Sequence, residues 1–159
     1  MLWLTLTGLP DLRQGGHTRK APTTGLALIL AACAQIPPSP QEIEAKKFEP
    51  IADQAVVYIV QGAVGPTLAV GLELDDGTQI TTWTGTFYRW VVNPGSRRIE
   101  NTAPLNDSIT LQLEAGKLYF VEQWVTGWRG SVTNSRLHQL DEQTGRQMVR
   151  TSTLCCSPN

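Results

Sequence analysis

The sequence predicts an all-β domain: an antiparallel β-sandwich of about seven strands with one short helix near its C-terminus. Three observations carry this expectation. Runs rich in β-branched and aromatic residues recur from Ala55 onward. Turns bearing glycine, proline or aspartate separate them at close spacing. The chain has no internal repeat and no alternation of strand with helix that would signal a parallel sheet.

The elements follow in order. Ala55–Val60 reads as the first strand and ends near Gly62 and Gly65-Pro66. Thr67–Leu74 and Gln79–Thr82 flank Asp75-Asp76-Gly77-Thr78, and an Asp-Gly pair between two strand-like runs is a strong hairpin signal. Gly85 breaks the returning strand, and Phe87–Val92 supplies the next, closed by Asn93-Pro94-Gly95. Arg97–Asn101 follows as a charged strand suited to a solvated edge. Ser108–Leu113 alternates apolar Ile109, Leu111 and Leu113 with polar neighbours, so one of its faces is buried. The turn Glu114-Ala115-Gly116 leads into Lys117–Val125. Ser131–Leu140 is a further strand, and Asp141–Arg150 is the segment with helical character.

Upstream of this body the chain reads differently. Gly25–Ala32 is a short apolar run ending in two small residues before Cys33, with Arg19 and Lys20 ahead of it. Leu30-Ala31-Ala32-Cys33 has the pattern of a bacterial lipobox, in which the cysteine is acylated and the preceding peptide removed. Residues 1–32 are then an export signal and Cys33 a lipid anchor. The apolar start Met1–Asp11 does not fit before a basic region, which suggests translation starting near Leu12. The alternative is that 25–33 forms a short buried helix or strand. The run is much shorter than the roughly 20 residues of a spanning helix. Ala34–Pro40 holds three prolines, which fix φ and remove donors, and reads as an extended spacer; Gln41–Phe48 is either a short helix or more linker. The expected division is therefore signal 1–32, lipidated cysteine and linker 33–47, sandwich 48–150, and a disordered tail 151–159. Ala34 after the cysteine, in place of the aspartate that retains such proteins in the inner membrane, points by resemblance to known sorting to the outer membrane, facing the periplasm.

Charge and composition exclude some partners. From Cys33 onward thirteen acidic residues face ten basic ones, so no basic patch is available for a phosphate backbone and nucleic acid is not expected. The expected partners are the membrane, through the anchor, and a protein or glycan of the envelope.

The order of lipobox, linker, Val-Tyr-Ile strand, hairpin, aromatic strand before Asn93-Pro94-Gly95, and Glu114-Ala115-Gly116-Lys117-Leu118-Tyr119-Phe120-Val121 resembles the bacterial lipoprotein family called domain of unknown function 2846. The resemblance spans roughly Lys46–Met148. It implies a prealbumin-like or carboxypeptidase-regulatory-like β-sandwich, and it brings no established activity, cofactor or catalytic residues.

Candidate chemistry is sparse. His138 is the one histidine after Cys33, so a two-histidine metal site is ruled out, and no Gly-x-Ser-x-Gly elbow presents a serine. Catalytic residues, metal and cofactor are accordingly expected to be none. Asp75-Asp76 reads as turn chemistry, and Arg97-Arg98 as divergent charges along a strand. Aromatic residues crowd between Trp83 and Trp128, chiefly as core. Trp124-Val125-Thr126-Gly127-Trp128-Arg129-Gly130 reads as a glycine-bearing loop suited to a glycan, a peptide or a membrane interface. Trp124, Trp128, Arg129 and Tyr88 are the expected contact residues. The function expected is a non-catalytic binding or scaffold module; the alternatives are a glycan-acting envelope enzyme or its accessory with an aromatic platform, and a module accepting a partner strand at Arg97–Asn101. Cys155-Cys156 has no Cys-x-x-Cys spacing, a bridge between adjacent residues is strained, and the pair is expected to sit in a frayed end.

Overall fold

A computed structural model describes residues 37–63, 67–102, 105–128 and 131–156. The proposed signal 1–32 and Cys33 lie outside the described residues, as does Arg129. The all-β sandwich is present. Nine strands lie in the described residues: β1 Ala55–Gln61, β2 Ala69–Leu74, β3 Gln79–Trp83, β4 Thr86–Val92, β5 Gly95–Asn101, β6 Ser108–Leu113, β7 Leu118–Trp128, β8 Ser131–Leu140 and β9 Thr153–Leu154. Helix α1 is Pro40–Ala45 and α2 is Glu142–Thr151. One sheet has the order β8-β7-β1-β4-β9 and the other β3-β2-β5-β6.

Pairing is not wholly antiparallel. β1 runs parallel to β7, and β4 parallel to β9. Apolar alternation reports which face of a strand is buried but not its direction, so the mixed character of the larger sheet is invisible in the pattern. Arg97–Asn101 is likewise not an edge: β5 pairs with β2 on one side and β6 on the other, so its backbone is already engaged.

The larger sheet is buried on both faces, and β1 shows why. All seven of its residues are buried, as expected of a central strand whose Val-Val-Tyr-Ile-Val run has no polar alternation. Val57 and Ile59 face the smaller sheet and pack with Leu72, Leu74, Trp90, Ile99 and Val121. Val56, Tyr58 and Val60 face the opposite way and pack with Phe87, Phe120, Phe48 and Val149. This second layer is made by α1, α2 and the segment around Phe48. The Tyr58 ring stacks on Phe120 at 5.2 Å between centroids, and its hydroxyl donates to the Ala45 carbonyl at 2.7 Å. Burial raises the Tyr58 phenol above its ordinary pKa, against the Arg89 and Arg146 guanidinium groups, which lower it.

Two expected boundaries are corrected here. Residues 40–47 are part of the domain, not linker. Pro40 opens α1 at a first-turn position where its missing N–H is no loss, and the Ser39 hydroxyl accepts from the Glu42 N–H at 3.1 Å. The rule that proline forbids helix does not apply at that position. Residues 151–156 are not a frayed tail either. α2 runs to Thr151, and β9 adds to β4 with the Cys155 N–H donating to the Phe87 carbonyl at 2.9 Å. Glu42, 5% exposed, holds both ends together. One carboxylate oxygen pairs with Lys46 at 2.6 Å and the other accepts from the Leu154 N–H at 3.3 Å.

The hairpin expected at Asp75-Asp76-Gly77 forms. Gly77 lies at φ 82°, its N–H donates to the Leu74 carbonyl, and Asp76 accepts from the Thr78 N–H at 3.0 Å.

Candidate binding site on the β7–β8 hairpin

The register of β7 and β8 assembles the site. Along β7 the even positions Phe120, Glu122 and Trp124 share the face that looks away from the smaller sheet. On β8 the residues directly opposite are Leu140, His138 and Arg136. Cross-strand neighbours on one face sit roughly 4.5–5.5 Å apart at Cβ, so Trp124 stands beside Arg136 and Glu122 beside His138. The Glu122 carboxylate lies 2.9 Å from His138 Nε2. Toward Phe120 this face is covered by α2. Toward Trp124 the cover runs out, and the Trp124 side chain is 50% exposed.

β7 itself corrects an expectation. Trp124–Trp128 is not a loop: the strand continues to Trp128 because β8 supplies partners from Phe120 to Trp128, with an irregularity between Thr126 and Gly127. A Cβ on Gly127 would lie 2.4 Å from both Leu68 Cδ1 and the Ser131 carbonyl oxygen, so the glycine serves close approach of chains. The strand therefore presents Trp124 and Trp128 from a hydrogen-bonded ladder. Trp128 is 71% exposed.

Beneath the Trp124 end lies a cavity of about 270 Å³, bounded by Gly62 and Ala63, by Glu122–Val125, and by Met148 and Thr151 of α2. Gln61, Thr84 and Gln123, which line it, belong to a buried polar network between the sheets. Gln123 Nε2 donates to Asn101 Oδ1 at 2.9 Å, and the Ser135 hydroxyl donates to the same oxygen at 3.0 Å. Asn101 Nδ2 donates to the Ser135 carbonyl at 3.1 Å. The Thr82 hydroxyl shares its proton among Gln61 Oε1, Val70 O and Gln123 Oε1. Gln61 Nε2 donates to the Leu68 carbonyl at 3.1 Å and to the Thr84 hydroxyl at 3.2 Å. Every buried polar side-chain atom among the described residues has a partner. A satisfied network of this kind fixes the strand register and holds the wall rigid.

The expected contact residues divide into two places. Trp124 and Trp128 share the hairpin. Tyr88 does not join them: it lies on β4 opposite Ile59, on the face toward the smaller sheet, and packs against the core between the sheets. Burial, with the Asp76 charge second, raises its phenol above the ordinary value. Glu122, Arg136 and Met148 are not singled out by sequence, and His138 stands out there only as a lone histidine. The i,i+2 spacing of Glu122 with Trp124, and of Arg136 with His138, was readable. The register that sets the two pairs side by side was not.

The remaining charged candidates are accounted for structurally. Arg97 Nη1 pairs with Asp75 at 2.9 Å and Arg98 with Glu100 at 3.1 Å. Asp76 accepts the Trp90 indole N–H at 3.0 Å. Among the described residues no cluster of three or more His, Cys, Asp or Glu side chains is placed to hold a metal. Nor is any helix of these residues long and apolar enough to cross a membrane. The hairpin offers an aromatic face, a carboxylate–imidazole pair and a guanidinium, with Glu122 and Trp124 also lining the small cavity, a set suited to recognising a polar ligand with a flat apolar face.

No protein-family model matches the chain. An uncharacterised protein of Haemophilus influenzae is 27% identical over 135 residues, covering 82% of this chain and 80% of its own length. An NMR structure of a protein from Eubacterium rectale aligns with a TM-score of 0.33 and 9% identity, over 57% of this chain and 92% of that one.

Proposed function

We propose that the protein is a lipid-anchored bacterial envelope lipoprotein whose β-sandwich is a non-catalytic binding module, with the β7–β8 hairpin as its contact surface. The single observation behind the anchor is Leu30-Ala31-Ala32-Cys33, preceded by basic residues and followed by a proline-rich segment. The resemblance to domain of unknown function 2846 favours the same reading, as does Ala34 for an outer-membrane address. Lipoproteins with two or three acyl chains are held stably, so the domain would act while confined to the membrane surface. The binding role is supported by Trp124, half-exposed beside Arg136 and Glu122 at the mouth of a small cavity.

The anchor is tested by the intact mass of protein extracted from membranes, beside a Cys33→Ala variant. A species beginning at Cys33 and carrying acyl chains, absent from the variant, is the expected result. An unmodified mass for residues 1–159 would sink the anchor and leave the hairpin reading standing. The hairpin is tested separately by tryptophan fluorescence during titration with soluble peptidoglycan fragments and with envelope protein extracts. Saturable quenching that Trp124→Ala removes is expected, and its absence with both would remove the binding role.

A further inference from the structure

A second cavity, of about 880 Å³, lies on the far side of the larger sheet from β8, between α1, β4 and the C-terminal segment. Cys155 and Cys156 line it together with Tyr88, Arg89 and Glu44, and the two cysteines are joined in a disulfide between adjacent residues. We propose that Cys155–Cys156 is a thiol–disulfide exchange site whose substrate is a dithiol, small or carried by a protein. The proposal is independent of the lipid anchor and of the β7–β8 hairpin.

Three features of the place support it. Both cysteines are partly exposed at the wall of an open cavity, whereas structural bridges are characteristically enclosed, so an attacking thiolate has an approach. Arg89, whose side chain also meets the Tyr58 hydroxyl, lines the same cavity, and a cation there favours the thiolate form that exchange requires. An acceptor for the reduced form is already in place, since Cys156 Sγ lies 2.7 Å from the Thr81 carbonyl oxygen. Cys156 also sits at φ 63°, a left-handed conformation uncommon for a non-glycine residue. The bridge is not needed to hold β9, which is fixed by its own ladder bonds and by Glu42.

The exchange balances as a two-electron reduction. A thiolate of the dithiol attacks Cys155 Sγ, the S–S bond breaks, and its electron pair moves to Cys156 Sγ, which takes up a proton and can then donate it to the Thr81 carbonyl. The second thiolate of the partner attacks its own sulfur in the mixed disulfide, releasing Cys155, which is protonated in turn. The partner leaves as a disulfide, and the chain holds two thiols.

The test uses the full chain purified without reductant and dithiothreitol as the dithiol. Samples are alkylated before and after incubation, and trypsin then releases Thr151–Asn159, which carries both cysteines apart from Cys33. No label before reduction and two labels after it, with tryptophan fluorescence still that of the folded protein, is the expected result. Arg89→Gln should slow native-state reduction severalfold without changing the rate measured in urea. Two labels before any reductant, a disulfide-linked dimer, or a bridge that opens only when the domain unfolds would each overturn the proposal. An unchanged rate in Arg89→Gln would overturn the assigned role of Arg89.

Discussion

Single residues decide how closely the layers approach. Gly145 lies in the middle of α2, where glycine ordinarily costs helix stability, yet it is buried against β7. A Cβ there would meet Phe120 Cγ at 2.2 Å and Cβ at 2.3 Å, so the helix rests on the Phe120 side chain because nothing stands between them. Gly145→Ala should therefore destabilise the domain by about 1–3 kcal/mol in urea unfolding, although alanine is the better helix former. A neutral or stabilising result would mean that α2 does not sit on Phe120. Asp76 is a second such residue. Burial alone would raise its carboxyl, but hydrogen bonds from Thr78 and from the Trp90 indole hold it below the ordinary value. A depressed folded pKa means that the carboxylate contributes stability above the unfolded value of about 3.9, and that this is lost as pH falls through the lower folded value. Asp76→Asn should thus lower stability at neutral pH and flatten the stability profile below about pH 4, read by thermal melts across that range.

At the scale of elements, hydrophobic patterning located the strands and missed what joins them. Ser108–Leu113 and Ser131–Leu140 have the bounds that their alternation and turn residues suggest, and α2 differs from the expected helix by one residue at each end. What could not be read was neighbourhood. β1 beside β7 in parallel, β5 between two partners, and Glu122 beside His138 are facts of register between distant segments, to which local periodicity is blind. The site was half legible for the same reason: two tryptophans in a short stretch were visible, and their polar companions on β8 were not. The Glu122–His138 pair gives this scale its prediction. Because His138 is half exposed, the pair contributes little to folding, and His138→Ala should leave the melting temperature within about 1 °C while altering any ligand response of Trp124. A large loss of stability would mark the pair as structural instead.

The β-sandwich domain is closed by the two ends of its described residues, and this sets how far upstream of β1 the domain extends. Phe48, at φ 57° and nearly fully buried, packs on Tyr58 and Phe120 and lies under the Arg146 guanidinium at 4.7 Å. Just upstream, α1 supplies the Ala45 carbonyl that takes the buried Tyr58 hydroxyl, and the Glu42 carboxylate that takes the Leu154 N–H. A chain shortened to begin at Phe48 keeps every strand but leaves the Tyr58 hydroxyl without its acceptor and removes Ala45 from the cluster that holds Val56 and Val60. An unmet buried hydroxyl alone costs about 1–3 kcal/mol, so this chain should unfold at lower urea than one beginning at Pro37, with a similar dependence on denaturant. Exchange of the Leu154 and Cys155 amides with solvent should rise in the same variant, since β9 loses Glu42 while keeping its bonds to β4. Equal stability of the two chains would return residues 40–47 to the role of spacer, whereas the expected difference makes α1 the first structural element of the sandwich.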